Sequence, residues 1–188
     1  MTRVPPAPVE LFSPIYGPDA PLREQVYAQA PGVARAYRAY KEALAGAATL
    51  PPRLSELVRL RIAFHNQCRS CMALRYGAEG EAGVDEELVC SLEKPQEAED
   101  LSEAEKAALD YADRMATDHL TVSDQTFARL AEHFSHGEVI ELGFLIATYV
   151  GYGRLAATLD MVDDLPDEYA DPTATLAPWS VAPAKTTA

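Results

Sequence analysis

The sequence has few cysteines, few glycines and few basic residues. Its 188 residues include only 3 Cys and 10 Gly, too few for a disulfide-rich scaffold or a collagen-like repeat. The 16 Lys and Arg against 29 Asp and Glu give a net charge of −13. A field of that sign repels nucleic-acid phosphates and anionic lipids. We therefore expect no nucleic-acid partner and no membrane partner.

Long hydrophobic runs are also missing. The N-terminal stretch MTRVPPAPVELFSPIYG contains four prolines and no apolar run of the kind that a secretory signal needs. The most apolar segment, from Leu142 to Gly153, is too short to span a bilayer and suits a buried core helix. We expect a cytoplasmic protein, in a compartment where structural disulfides are rare.

The pattern along the chain predicts three zones. Residues 1–20 are rich in proline and lack periodicity, so we predict an extended N-terminal arm. Residues 21–165 are predicted to form a single all-helical domain, as expected for a chain of this length. Residues 166–188 are predicted to be a loose C-terminal tail, in which Trp179 could pin the segment to a neighbouring surface.

Helix signals dominate the central zone and predict an all-α fold, a compact helical bundle of about seven or eight helices. Asp85 is suited to cap one helix, and the pairs Ser102–Glu105 and Ser135–Glu138 have the spacing of capping boxes. Helices are predicted over residues 22–30, 33–45, 55–64, 68–78, 104–118, 123–133 and 139–161, with one more after Asp85. No segment has the signals of a strand.

The chemistry centres on Cys68-Arg69-Ser70-Cys71, at the expected start of a helix. Cysteines three apart on a helix share a face, with Cβ atoms about 5–6 Å apart, close enough for a disulfide after modest adjustment. First-turn N–H groups favour a thiolate, which is the nucleophile toward peroxides and disulfides. The alternative is a pair of buried cysteines that act as small hydrophobic side chains.

We expect no metal and no other cofactor. A zinc site needs four ligands, whereas His65, Cys68 and Cys71 supply three. Cys90 falls on an apolar helix face and is predicted to belong to the core.

Two segments carry a family resemblance. Glu56 opens the run E-L-V-R-L-R-I-A-F-H-N-Q-C-R-S-C-M-A-L-R-Y, and residues 151–159 have the sequence G-Y-G-R-L-A-A-T-L. Together they resemble the alkylhydroperoxidase D-like / carboxymuconolactone decarboxylase-like family, over roughly residues 22–161. The resemblance implies an all-helical homo-oligomer, a trimer or hexamer. It also implies a peroxidase cycle in which Cys71 reacts with the peroxide, Cys68 is its disulfide partner and Glu56 belongs to a proton relay. The partners implied are a hydroperoxide or other small-molecule substrate and a dithiol reductant or disulfide protein.

The sequence departs from the family pattern at two positions. Redox members have a His four residues after the second Cys, where this chain has Arg75, and some have a His between the cysteines, where it has Ser70. Because it is four residues from Cys71, Arg75 is expected one turn further along the same helix face. Its charge would stabilise a thiolate, but it cannot exchange protons at neutral pH.

Three consequences of the exchange at Arg75 are open. The peroxidase is weaker, or Glu56, His65 or Tyr76 serves as a substitute acid, or Arg75 holds an anionic substrate or disulfide partner. The alternative for Arg75 is a solvated surface residue. Glu56 could instead complement a helix dipole, and His65 could be structural.

The candidate catalytic residues are therefore Cys68, Cys71, Glu56, Arg75 and His65. The first hypothesis is a thiol-dependent peroxidase. The second is a lyase or isomerase acting on a small acid, which does not need the two cysteines. The third is a non-catalytic oligomeric scaffold or redox sensor. Replacement of Cys71 by Ser distinguishes the three hypotheses. A peroxidase would lose turnover, a lyase or isomerase would retain it, and a scaffold or sensor would change only its assembly.

Overall fold

The computed structural model describes residues 2–76, 83–169, 171, 174–180 and 185–187, and within them the fold is all-α as predicted. The described residues form nine α-helices and two short strands. The helices are α1 (Val9–Tyr16), α2 (Leu22–Tyr27), α3 (Pro31–Ala47), α4 (Pro52–His65), α5 (Arg69–Met72), α6 (Glu86–Ser91), α7 (Glu103–Thr117), α8 (Asp124–Ala131) and α9 (His136–Leu159). The strands are β1 (Leu74–Tyr76) and β2 (Lys185–Thr187). Two 3-10 turns lie at His119–Thr121 and Asp167–Tyr169.

Helix α4 lies at the centre of the core and packs against α7 and α9. Leu57, Leu60 and Ile62 on α4 have no exposed area. Burial of each such Leu or Ile stabilises the fold by about 1.5–3 kcal/mol. Because α4 is held in place by this packing, its C-terminal end fixes the position of Cys68 and Cys71, which follow it.

Three predicted helix starts are confirmed. The Asp85 carboxylate accepts a hydrogen bond of 2.9 Å from a backbone N–H three residues later. Ser102 Oγ accepts from the Glu105 N–H at 3.2 Å while the Glu105 carboxylate accepts from the Ser102 N–H at 2.8 Å. Ser135 and Glu138 form the same box, with distances of 3.3 and 2.8 Å. These caps satisfy N–H groups that α6, α7 and α9 would otherwise leave without partners.

The N-terminal residues do not form the predicted extended arm. They contain α1, which buries Phe12 and Ile15 in a small apolar cluster with Ala34 of α3. The Tyr16 hydroxyl donates to the Ala34 carbonyl at 3.3 Å. The prediction failed because a two-turn helix with two buried apolar residues is too short to show periodicity among the surrounding prolines.

The helix predicted over residues 68–78 is also wrong, because α5 ends at Met72. In a longer helix, the carbonyls of Cys71 and Met72 would accept N–H groups from residues four positions later. In the structure Arg59 Nη1 donates to the Cys71 carbonyl at 2.7 Å, and Arg75 Nη1 donates to the Met72 carbonyl at 2.6 Å. Two arginine side chains thus satisfy the carbonyls at the end of this turn. Ala78, the last residue of the predicted helix, lies outside the described residues.

The chain after α5 forms a small parallel sheet with the C-terminal residues. Leu74 of β1 is opposite Lys185 of β2, and Tyr76 is opposite Thr187. No pattern in the sequence predicted this pairing, since three residues are too few for an alternating pattern.

The described part of the C-terminal segment contacts the domain, contrary to the expectation of a loose tail. Gln67 Nε2 donates to the Leu176 carbonyl at 3.1 Å, and the Leu176 N–H donates back to Gln67 Oε1 at 3.2 Å. The ring of Trp179 lies 4.8 Å from that of Phe64 on α4. The prolines correctly indicate an irregular backbone, but the contacts that anchor it depend on side chains elsewhere in the chain.

Helix α9 is buried on one side only, although its apolar run predicted a core helix. Ile140, Phe144 and Leu155 are 63%, 57% and 45% exposed. The buried members are Val139, Leu142, Ile146 and Ala156. Among the described helices α9 alone is long and apolar enough to cross a membrane, a criterion that core helices of soluble proteins also meet.

Candidate active site

The two cysteines of the C-x-x-C motif form a disulfide. Cys68 precedes α5 and Cys71 lies within it, with 5.1 Å between their Cα atoms. The Cys68 side chain is fully buried, whereas Cys71 is partly exposed and lines a cavity of about 210 Å³. Of the two sulfur atoms, that of Cys71 is the one that a reactant can approach.

The turn before Cys68 is held by Gln67. Its backbone is in the left-handed region, with φ of 47°, and its side chain donates to the Phe64 carbonyl at 2.7 Å. This turn ends α4 where the sequence predicted an interruption and sets the direction in which Cys68 enters α5. Since α5 has only four residues, its dipole favours a thiolate less than the full helix expected from the sequence would.

The cation beside the reactive sulfur is Arg23 on α2. Its Nη2 atom is 3.1 Å from Ser70 Oγ and 3.8 Å from Cys71 Sγ. No carboxylate of the described residues lies within 4.0 Å of its guanidinium nitrogens. Sequence analysis missed Arg23 because it is 48 residues from Cys71 and belongs to no motif.

Arg75 does not occupy the predicted position on the same helix face as Cys71. It lies in β1, is 1% exposed and forms a two-pronged ion pair with Glu86 at 2.8 and 3.0 Å. Its guanidinium also donates to the carbonyls of Met72 at 2.6 Å and Pro178 at 2.9 Å. These contacts join the end of α5 to α6 and to the C-terminal segment. The alternative of a solvated Arg75 is therefore wrong as well.

Glu56 lies in a buried network behind Cys71. Its two oxygens accept from Arg59 at 2.6 and 2.7 Å, and one of them also accepts from the Tyr76 N–H at 3.0 Å. Arg59 in turn donates to the carbonyls of Cys71 at 2.7 Å and Leu74 at 2.8 Å. A buried pair of this kind offsets its desolvation only when its hydrogen bonds are satisfied, as they are here. Glu56 is thus connected to Cys71 through Arg59 and the backbone.

His65 belongs to a different network. Its Nε2 atom is 2.7 Å from Asp113 Oδ1, and Arg61 donates to both Asp113 oxygens at 2.7 and 3.0 Å. Burial alone would raise the pKa of Asp113, but the hydrogen bonds from His65 and Arg61 bring it below its ordinary value. Within the described residues, no hydrogen bond joins His65 to either cysteine of the motif.

Cys90, predicted to lie in the core, is exposed and unpaired as a thiol. It lies on α6, where Leu88 and Val89 take the buried positions. No cluster of three or more His, Cys, Asp or Glu side chains that could hold a metal occurs in the part of the chain that the structure describes.

The cavity at Cys71 is lined mainly by aromatic and cationic side chains. Tyr37 and Tyr152 are in ring contact at 4.2 Å, and Tyr27 meets Tyr37 edge to face at 5.9 Å. Burial raises the pKa of Tyr149 to about 12 and also raises that of Tyr37. These phenols therefore stay protonated at neutral pH and can donate hydrogen bonds. An adjoining cavity of about 460 Å³ shares several of the lining residues.

Comparison with known proteins agrees with the resemblance seen in the sequence. Residues 31–114 match the model of the carboxymuconolactone decarboxylase family. A solved structure described as the alkylhydroperoxidase AhpD core, an uncharacterized peroxidase-related protein from Ralstonia eutropha JMP134, superposes with a TM-score of 0.62. The predicted resemblance to the alkylhydroperoxidase D-like / carboxymuconolactone decarboxylase-like family is confirmed. The match covers 92% of this chain and 91% of the other at 22% identity, so that structure shows a shared fold alone.

The chain is also similar to an uncharacterized protein of Mycobacterium tuberculosis, found in strains CDC 1551 and H37Rv. It is 33% identical over 111 residues. That alignment covers 59% of this chain and 39% of the relative. The chain therefore spans about two-fifths of the length of these curated relatives.

Proposed function

We propose that this protein is a thiol-dependent peroxidase in which Cys71 attacks a hydroperoxide and Cys68 completes a disulfide. One observation carries the proposal: a buried Cys68 is bonded to a partly exposed Cys71 at the wall of a cavity. A peroxidase of this kind needs one sulfur that the substrate can reach and a second that only the first can reach. The family supports a peroxidase-like or decarboxylase-like activity.

The reaction begins with reduced cysteines. The Cys71 thiolate attacks the hydroperoxide, so that a sulfur–oxygen bond forms while the oxygen–oxygen bond breaks and an alkoxide leaves. The alkoxide takes a proton and departs as an alcohol. Cys68 then attacks the sulfur of the Cys71 sulfenic acid, which forms the disulfide and releases water. An external dithiol returns two electrons and two protons.

Arg23 assists the first step in this proposal. A guanidinium beside Cys71 Sγ favours the thiolate over the thiol, but it holds its own protons too firmly to protonate the alkoxide. The phenol of Tyr76, which lines both cavities and packs over Arg59 at 4.7 Å, is the better proton donor. We assign Glu56 a positioning role through Arg59, because its two oxygens are occupied by hydrogen bonds.

Thiol counting tests the peroxidase directly. The exposed Cys90 thiol would confuse the count, so the experiment uses Cys90→Ser as its background. One equivalent of cumene hydroperoxide is expected to remove two thiols rapidly. Cys68→Ser should then stop at a sulfenic acid on Cys71, and Cys71→Ser should react no faster than free cysteine. If the Cys90→Ser protein, which retains both Cys68 and Cys71, loses its thiols only at the rate of free cysteine, the proposal is refuted.

A lyase acting on a small acid is the second candidate. It is favoured by the match to the carboxymuconolactone decarboxylase family and by Arg23 and Lys41, which bring positive charge to the cavity. Turnover of a small acid that survives in the Cys68→Ser/Cys71→Ser double variant would favour this candidate. A redox sensor would instead change its assembly on oxidation without turnover.

We also propose that the protein is a homo-oligomer, either a trimer or a hexamer. The support is the exposed apolar face of α9, where Ile140, Phe144 and Leu155 are about half exposed or more. Monomeric proteins seldom leave large side chains of this kind together on one helix. Light scattering coupled to size exclusion should give a multiple of the 20.4 kDa chain, and Phe144→Glu should reduce it.

A further inference from the structure

We propose that the cavity at Cys71 selects organic hydroperoxides that carry a carboxylate on a ring-sized apolar body. This inference rests on the proposed peroxidase function and names its substrate class. In the reaction, the Cys71 sulfur gains the outer oxygen of the hydroperoxide, the oxygen–oxygen bond breaks and the alkoxide takes up a proton. The carboxylate does not react, and it serves to hold the substrate.

The charge at the wall of the cavity is positive. The chain as a whole carries −13, yet the charged side chains that line the 210 Å³ cavity are Arg23, Lys41 and Arg59. Arg59 is neutralised by Glu56, which leaves Arg23 and Lys41. An anion would therefore be attracted to the cavity although the rest of the protein repels it.

These two cations form no direct ion pair with a carboxylate of the described residues. Within the described residues, no Asp or Glu oxygen lies within 4.0 Å of the charged nitrogens of Arg23 or Lys41. Glu24 is within electrostatic reach of both and lines the adjoining 460 Å³ cavity, which Arg23 and Lys41 also line, but it does not line the 210 Å³ cavity. Arg23 and Lys41 are thus two cations at the wall of this cavity that no carboxylate of the described residues contacts.

The walls of the cavity are aromatic. The Tyr37 ring contacts that of Tyr152 at 4.2 Å and meets that of Tyr27 edge to face at 5.9 Å. Flat apolar groups stack well on such surfaces, and protonated phenols donate hydrogen bonds to a carboxylate. A volume of about 210 Å³ is below the range of roughly 300–1,000 Å³ for sites that take drug-sized ligands, so the substrate has about one ring.

Binding of an unreactive pair of ligands tests the anion site without any turnover. The probes are 4-isopropylbenzoate and its neutral amide, measured by titration calorimetry on the wild-type protein. The acid is expected to bind at least about tenfold more tightly than the amide. In Lys41→Gln this advantage should shrink to about threefold or less, because half of the available positive charge is gone. The matched control is Lys94→Gln, at an exposed position outside the cavity, which should keep the full advantage.

Kinetics then separate this inference from the proposed function. Cumene hydroperoxide is compared with the same molecule carrying a para-carboxylate, and the ratio of their kcat/KM values should favour the acid by about tenfold and fall in Lys41→Gln. Equal affinities for benzoate and amide, or equal kcat/KM values for the two hydroperoxides, would overturn the selectivity while leaving the peroxidase intact. If benzoate binds as expected but neither hydroperoxide is reduced, the anion site stands and the peroxidase fails.

Discussion

The two arginines around the dithiol share little beyond their charge. Arg75 is four residues from Cys71 in the sequence, but it is 1% exposed and its donors are taken up by Glu86 and main-chain carbonyls. Arg23 is 48 residues from Cys71, yet it donates to the sulfur atom and has no carboxylate partner among the described residues. A guanidinium whose donors are all used by the protein holds the fold. One whose donors remain available can act on a reactant.

The largest expected effect is on stability, in Arg75→Met. Removal of the guanidinium leaves the Met72 and Pro178 carbonyls without donors and separates α6 from β1, so we expect a loss of about 3 kcal/mol in the free energy of unfolding. Urea unfolding measures this change. The rate at which peroxide oxidises the folded dithiol should alter by less than about twofold, since the change does not touch the sulfur.

Arg35→Met is the control for Arg75→Met, because Arg35 is exposed on α3. It should shift the free energy of unfolding by no more than about 0.5 kcal/mol. An Arg75→Met protein of unchanged stability and much slower oxidation would reverse the roles that we give to the two arginines.

The second largest effect is expected in the network of His65, Asp113 and Arg61, which includes neither Arg23 nor Arg75. Asp113→Asn removes the charge that binds Arg61 and His65, and we expect it to cost about 2 kcal/mol at pH 7. Because the pKa of Asp113 is lower in the folded state, its stabilising contribution is present above its ordinary pKa and is lost as the pH falls through the lowered value.

The stability difference between wild type and Asp113→Asn should therefore be constant above about pH 5 and shrink below about pH 4. Urea unfolding over that pH range measures it, with Asp124→Asn at an exposed position as the control. If the difference in the free energy of unfolding grew on acidification, it would contradict a lowered pKa of Asp113 in the folded state.

The smallest of these effects is kinetic, in Arg23→Gln. We expect oxidation of Cys71 to slow by about tenfold, which corresponds to about 1.4 kcal/mol, because the thiolate loses its neighbouring charge. The free energy of unfolding should change by about 0.5 kcal/mol or less, since Arg23 is not part of the core. Stopped-flow measurement with cumene hydroperoxide gives the rate, and Arg35→Gln is the matched control. Equal rates for both variants would show that Arg23 is only a surface residue.

Much of the fold and of the dithiol could be predicted because the signals are local. A capping box needs only two residues three apart, as at Ser102 and Glu105, and the C-x-x-C spacing brings Cys68 and Cys71 together in any helical turn. The helix predicted over residues 55–64 likewise lies within α4, whose apolar positions Leu57, Leu60 and Ile62 are fully buried. These features depend on residues that are neighbours in the chain.

The remaining features depend on contacts between distant segments. The assignment of Arg75 to the reactive face assumed that the helix continues, but Arg59 satisfies the Cys71 carbonyl from α4 and the helix ends. Arg23 reaches the sulfur from α2, and no spacing rule connects the two positions. Cys90 was assigned to the core because it was placed on an apolar helix face, but the buried face of α6 contains Leu88 and Val89 and leaves Cys90 exposed.

The most direct test of the central claim is to find which sulfur the peroxide oxidises. Reduced protein in the Cys90→Ser background is mixed with one equivalent of cumene hydroperoxide and a sulfenic-acid trap, quenched at early times and mapped by peptide mass spectrometry. The account predicts that the trap labels Cys71 and that the label disappears as the disulfide to Cys68 forms. A label on Cys68 would contradict this account, and so would labelling of Cys71 that is no faster than labelling of free cysteine under the same conditions.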